Sequence, residues 1–145
     1  MSEETAWLLL PARPEYLPFA RLTAASLATR LGFSYDDMED LRLGVDEICF
    51  ALLESVPGAA DADGAADADA DAGAAGAVLE LRYSISPVAI EVEGAMRWGG
   101  LASATLSNLG IRILSAVVDA YEVRQRDGHG GCIWMRKSAP QVTAG

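Results

Sequence analysis

The sequence predicts an α+β fold, a two-layer sandwich whose mixed, mostly antiparallel sheet is covered by helices on one face. Three observations predict it. Alternating and helical hydrophobic patterns follow one another in the order strand, helix, helix, strand, strand, helix, strand, strand. Short turns, Ser86-Pro87 and Asp127-Gly-His-Gly-Gly131, join neighbouring strand patterns into hairpins, and hairpins pair antiparallel. The length of 145 residues suits one domain large enough to bury most of its unfolded surface.

Each element has its own signal. Thr5 to Pro11 reads as a short strand ended by proline. Glu15 to Leu31 is a helix with Leu17, Ala20, Ala24, Leu27 and Leu31 on one face and Gly32 as its stop. Ser34-Tyr-Asp-Asp37 reads as a capping box that opens a second helix, ending near Val56-Pro57-Gly58. Along that helix Met38, Leu41, Val45, Ile48, Cys49 and Leu52 form a stripe for the core. Asp40, Gly44, Glu47 and Ala51 fall on a neighbouring line, placed to border a cleft beside it.

Beyond the second helix the composition changes. Residues 57–77 hold eleven Ala, five Asp, four Gly and one Pro, with no large apolar side chain, so they are expected to form a flexible insertion. The string Asp67-Ala-Asp-Ala-Asp71 lacks the glycine and glutamate that a calcium loop needs, since Ala72 and Val78 stand there. Order resumes where Leu79, Leu81, Tyr83 and Ile85 alternate with Glu80, Arg82 and Ser84 in a half-buried strand. Val88, Ile90 and Val92 alternate with Ala89, Glu91 and Glu93 in the next. Gly94 to Ser107 reads as irregular. Asn108 to Ala120 fits a helix capped by Ser107, with Ile111, Leu114, Val117 and Val118 apolar. Tyr121 to Arg126 and Cys132 to Lys137 are the last strands. The organisation expected is a single domain over residues 1–137 and a disordered tail over 138–145.

Charge narrows the function classes. A formal charge of −10 and a pI of about 4.4 argue against direct binding to nucleic acid or to an anionic membrane. No stretch reaches the roughly 20 apolar residues that span a bilayer. The first residues, Met-Ser-Glu-Glu-Thr, lack a basic secretory leader, so a cytoplasmic protein is expected. Cys49 and Cys132 each sit in an apolar pattern and are expected reduced and buried.

Three segments carry a resemblance. Phe19-Ala-Arg-Leu-Thr-Ala-Ala-Ser-Leu27, Leu41-Arg-Leu-Gly-Val-Asp-Glu-Ile-Cys49 and Leu109-Gly-Ile-Arg-Ile-Leu-Ser-Ala-Val-Val-Asp119 resemble the anti-sigma factor serine kinases of the RsbW type, in the GHKL (Bergerat-fold) ATPase superfamily. With the element order, the resemblance covers nearly the whole chain outside the insertion and the tail. It implies a homodimer that holds a sigma factor and yields it to a STAS-type anti-anti-sigma partner. It also implies ATP and Mg²⁺ as cofactors, with the partner phosphorylated on serine.

The resemblance assigns roles to single residues. Glu47 matches the catalytic base of the E-x-x-x-N motif, and Arg21 matches an arginine that contacts partners. Ala51 stands at the asparagine that holds Mg²⁺, where a methyl group offers no oxygen. In the D-x-G-x-G box, Glu93 stands for the adenine-reading aspartate, Gly94 follows, and Ala95 replaces a glycine. The second glycine box becomes Asn108-Leu-Gly110, and Cys132 replaces a threonine. Lost glycines restrict close backbone approach to phosphate, and phosphoryl transfer depends on the metal. The resemblance therefore implies an anti-sigma regulator whose nucleotide site is weakened or lost. The rival expectations are an active serine kinase with Glu47 as base, and a non-enzymatic module that binds only a STAS protein.

Several residues keep a plain alternative. Glu47 competes with a solvated or salt-bridged helix residue, and Arg21 with an arginine whose stem covers apolar surface. His129, the single histidine, is expected solvated in its Gly-rich turn. Trp98 is a lid residue, a plug or a core residue, while Trp7 and Trp134 are expected in the core or on a dimer face.

Overall fold

The computed structural model describes residues 3–56, 76–97, 104–126 and 130–140. Its elements are β1 (Glu4–Pro11), α1 (Leu17–Arg30) after a short 3-10 turn, α2 (Tyr35–Glu54), β2 (Val78–Ser86), β3 (Ala89–Arg97), α3 (Asn108–Val117), β4 (Ala120–Arg126) and β5 (Gly130–Ser138). The sheet order is β1-β2-β3-β5-β4, and all four pairings are antiparallel. The expected α+β sandwich is the one observed, at the fully antiparallel limit.

Local chemistry explains the helix starts. Ser34 Oγ accepts from the Asp37 N–H at 3.1 Å, and Ser107 Oγ accepts from Gly110 N–H at 3.0 Å, so both caps satisfy a first-turn donor. Gly32, with φ +76°, ends the first helical segment in the left-handed region that glycine adopts without a Cβ penalty. On α1 the buried positions are Leu17, Ala20, Ala24 and Ala28, while Leu27 and Leu31 are only partly buried. Small side chains let α1 come close to the sheet, where the Tyr83 hydroxyl donates to the Ala20 carbonyl at 2.9 Å.

The core lies between the helices and one face of the sheet. Leu41, Val45, Ile48, Cys49 and Leu52 of α2 are fully buried, as the stripe predicts, and Leu53 joins them. They meet Leu79, Leu81 and Tyr83 of β2, Ile90 and Val92 of β3, Leu114 of α3, and Ile133 and Met135 of β5. Both cysteines are buried, and neither is part of a disulfide.

Boundaries differ from expectation in places. β3 runs on to Arg97, because Gly94, Ala95, Met96 and Arg97 pair with Leu81, Glu80, Leu79 and Val78. α3 stops at Val117, since Val118 is extended and the Asp119 N–H bonds to Arg136 O at 2.9 Å. Ser138 closes β5, and Ala139 N–H donates to Val88 O at 2.7 Å, so the chain is held past the expected start of the tail. Ala77, expected in the insertion, is buried and accepts from Ala12 N–H at 3.1 Å. Residues 57–75, which include the Asp67–Asp71 string, lie outside the described residues, as do Trp98 and His129. Among the described residues no helix is long and apolar enough to cross a membrane.

Candidate functional site

The Glu47 line of α2 turns toward α3 and β5, and its character changes along its length. At the start, Lys137 Nζ lies 3.8 Å from both Asp37 and Asp40 and donates to the Val117 carbonyl at 2.9 Å. One turn on, a Cβ at Gly44 would stand 2.7 Å from Met135 Sδ and 3.0 Å from a Val118 methyl, so glycine is what lets α2 lie against β5. This half of the line is closed by packing.

The second half meets the first turn of α3. A Cβ at Gly110 would sit 3.2 Å from Glu47 Oε2 and 3.3 Å from Ser107 Oγ, which puts the carboxylate beside the start of that helix. Partial burial pushes the Glu47 carboxyl above its ordinary value, and the Asp46 and Glu54 carboxylates push the same way. A carboxylate tuned upward suits proton acceptance. Ala51, one turn further, is buried and presents a methyl group.

Gly94 shares this side of the sheet. A Cβ there would lie 2.7 Å from Leu52 Cδ1, 2.9 Å from Ile48 Cγ2 and 3.2 Å from Leu81 Cδ2. Apolar side chains of the core already fill the space a side chain at this position would need.

Glu93 lies on the other face of the sheet. Expected in the nucleotide site with Glu47, it points away from the helices, because side chains alternate along β3 and Val92 and Gly94 take the inward positions. On the outer face Glu93 Oε2 meets Arg82 at 3.5 Å and Arg124 at 3.3 Å. It belongs to a cross-strand row, Trp7, Arg82, Glu93, Trp134 and Glu122. Arg82 lies over the Trp7 ring at 5.9 Å, Arg124 over Trp134 at 4.8 Å, and Trp134 Nε1 donates to Glu91 at 3.0 Å. Neither tryptophan is a core residue: Trp7 is 57% exposed, and Trp134 stands half-buried on the outer face. A polar cavity of about 320 Å³ opens among Arg82, Arg124, Glu91, Glu93 and Trp134.

Asn108 is exposed in the first turn of α3. Arg21 of α1 has its Nε 3.3 Å from Asp46 Oδ1 of α2, the residue before Glu47. The structure therefore sets Glu47 beside Gly110, keeps Ala51 buried on α2 and Gly94 against α2 on the helix side of the sheet, and places Glu93 on the other face. Sequence reading missed Asp46, whose signal is its place on the α2 flank beside α1.

A sandwich of this topology, with an acidic residue of the second helix facing a glycine of the third, is the frame of a nucleotide-binding ATPase domain. Residues 10–137 match the family model described as a histidine kinase-like ATPase domain, and the chain belongs to that family. It is similar to the serine-protein kinase RsbW of Bacillus mycoides, 44% identical over 45 residues, covering 31% of this chain and 28% of the relative. The RsbW kinases of Bacillus velezensis (50% over 40 residues, 28% of this chain and 25% of theirs) and Bacillus licheniformis (51% over 39 residues, 27% and 24%) are similar too. The matched stretches thus span about a quarter of the length of these curated relatives. Family match and relatives together support the RsbW type within this family.

Proposed function

We propose that this chain is an anti-sigma regulatory factor, acting in the cytoplasm as a homodimer. It sequesters a sigma factor through a surface that includes Arg21, is countered by a STAS-type anti-anti-sigma protein, and has lost most or all nucleotide chemistry. The observation that carries the last clause is the packing at Gly94. A residue reading adenine must face the same cavity as the base at Glu47, and the inward position on β3 is a glycine walled by Leu52, Ile48 and Leu81. Ala51 adds no oxygen for Mg²⁺. The described residues do not fit Mg-ATP, and no phosphoryl step is derived for them.

An active serine kinase is the second reading, and the upward-shifted Glu47 beside Gly110 favours it. A third is a module that binds only a STAS protein. Calorimetry with Mg-ATP separates the first two: the proposal expects no heat at micromolar concentrations. Binding that Gly110→Trp abolishes would instead favour the kinase. Affinity capture with wild type and Arg21→Ala, read by mass spectrometry, is expected to recover a sigma factor with the wild type alone. Recovery of a STAS protein without any sigma factor would favour the third reading.

A further inference from the structure

The two edges of the sheet are guarded differently. β4, at one edge, carries Glu122 and Arg124, charges of the kind that discourage a foreign strand from pairing. β1, at the other, reads Thr5-Ala-Trp-Leu-Leu-Leu10 between Glu4 and Pro11, with no charge along that run. Among the described elements it makes extensive contact with β2 alone. Trp7 and Leu9 stand 57% and 55% exposed on its outer side.

The hydrogen-bond pattern decides which backbone groups face the open edge. β1 pairs with β2 in one unbroken register from Glu4↔Ile85 to Pro11↔Val78, and Ala12 N–H continues it by donating to Ala77 O at 3.1 Å. Backbone groups alternate in direction along an antiparallel strand, so Leu10, Leu8 and Ala6 aim theirs at β2 as Ala12 does. Thr5, Trp7 and Leu9 therefore turn their N–H and C=O groups to the open side. Pro11, which has no N–H, falls on that side too. An uncovered apolar edge with its backbone groups aimed outward is a template for another strand.

We infer that β1 pairs antiparallel with β1 of a second copy, about a two-fold axis at Leu8, joining the two sheets edge to edge. The strand is self-complementary in that register. Trp7 comes opposite Leu9 of the second copy, and Leu9 opposite its Trp7, an aromatic against an aliphatic on the outer side. Ala6 comes opposite Leu10 on the inner side, small against large. Thr5 N–H meets the Pro11 carbonyl, the one backbone group that proline supplies. The acidic start of each strand, Glu3 and Glu4, runs toward Arg13 of the other, so charge is complementary at both ends. An axis at Trp7 would instead set Glu4 against the buried Leu10. This pairing gives the proposed homodimer its interface and rests on that reading.

The test is the association state of the full chain by sedimentation equilibrium, with circular dichroism to verify folding of each variant. The wild type is expected to be dimeric. Leu9→Pro removes an N–H that β2 does not use, and it is expected to weaken self-association about 10-fold or more, through two symmetry-related hydrogen bonds. Leu9→Lys, which puts a charge on the edge, is expected to weaken it similarly. Leu8→Cys reads the register. Leu8 meets its symmetry mate as a non-hydrogen-bonded pair with Cα atoms about 4.5 Å apart, within reach of a disulfide. Mild oxidation is expected to give a covalent dimer of this variant and none of the wild type, whose Cys49 and Cys132 are buried. A dimer that Leu8→Cys does not cross-link and Leu9→Pro does not weaken overturns the edge pairing and leaves the homodimer standing. A monomeric wild type overturns both.

Discussion

The two faces of the sheet arise from the same alternating strands, and they handle burial in opposite ways. On the helix side Leu81, Val92, Gly94 and Ile133 meet α2 in contacts so close that glycine is required where a Cβ would collide with Leu52 and Ile48. On the outer side Glu80 and Glu93 are buried as deeply as many core residues, at 9% and 7% exposure, yet are polar side chains. Glu80 pairs with Arg97, and Glu93 with Arg82 and Arg124, beneath guanidiniums that lie over tryptophan rings. Exclusion of polar groups stabilises one face; pairing of polar groups makes the other tolerable. Depth of burial alone does not reveal which face a residue occupies, and so Glu93 and Glu47, both acidic and both shielded, belong to different sites.

Substitutions at adjacent residues sharpen that contrast. Gly94→Asp, which would supply the carboxylate an adenine site needs, is expected to destabilise the fold by about 3 kcal/mol or more, through overpacking and burial of an unpaired acid. Its outward neighbour supplies the control: Ala95→Thr is expected to change stability by less than about 1 kcal/mol. Urea denaturation of both variants measures the pair. A well-folded Gly94→Asp that gained ATP affinity would show that the cavity opens readily and would break the contrast.

A middle-sized effect is expected on the outer face. Glu93→Leu leaves Arg82 and Arg124 without their shared carboxylate, at a cost of about 1–2 kcal/mol because both guanidiniums keep some access to water. The loss should shrink as salt concentration rises. Insensitivity to salt would mean that shape, not charge, holds Glu93 in place.

The smallest effect belongs to Glu47. Its raised pKa means the folded state binds a proton more tightly than the unfolded chain. Stability from this group therefore falls as pH rises from the ordinary value of 4.5 through the raised one. Glu47→Gln is expected to be slightly more stable than wild type at neutral pH and equal to it at pH values well below 4.5. Melting temperatures across that range test the sign, and a variant less stable at neutral pH would indicate a stabilising partner for the carboxylate.

Much of the fold was legible because it depends on local periodicity. Ser34 and Ser107 announce helix starts, Gly32 a stop, and the Leu41–Leu52 stripe a buried face, each from chemistry within a few residues. The end of β3 was not legible: Gly94-Ala-Met-Arg97 has weak strand character and pairs because β2 on one side and β5 on the other supply hydrogen-bond partners. Of the candidate site, Glu47 and Gly110 were named from the sequence, and the structure sets them side by side. Glu93 was matched by motif spacing, yet one position along a strand reverses the face. Asp46 escaped notice because its importance lies in Arg21, twenty-five residues earlier and on another helix (46 − 21).

The sequence by itself determined the elements, their order and the acidic line on α2, since these follow from turn chemistry and from hydrophobic period. Tertiary structure alone decided which side of the sheet each acid faces, that Gly44 and Gly94 are close-contact glycines, and that Arg21 is held by Asp46. The physical reason is range. Propensity and patterning act over a turn of helix or a pair of strand residues. Packing and ion pairing compare groups that only the folded chain brings within a few ångströms.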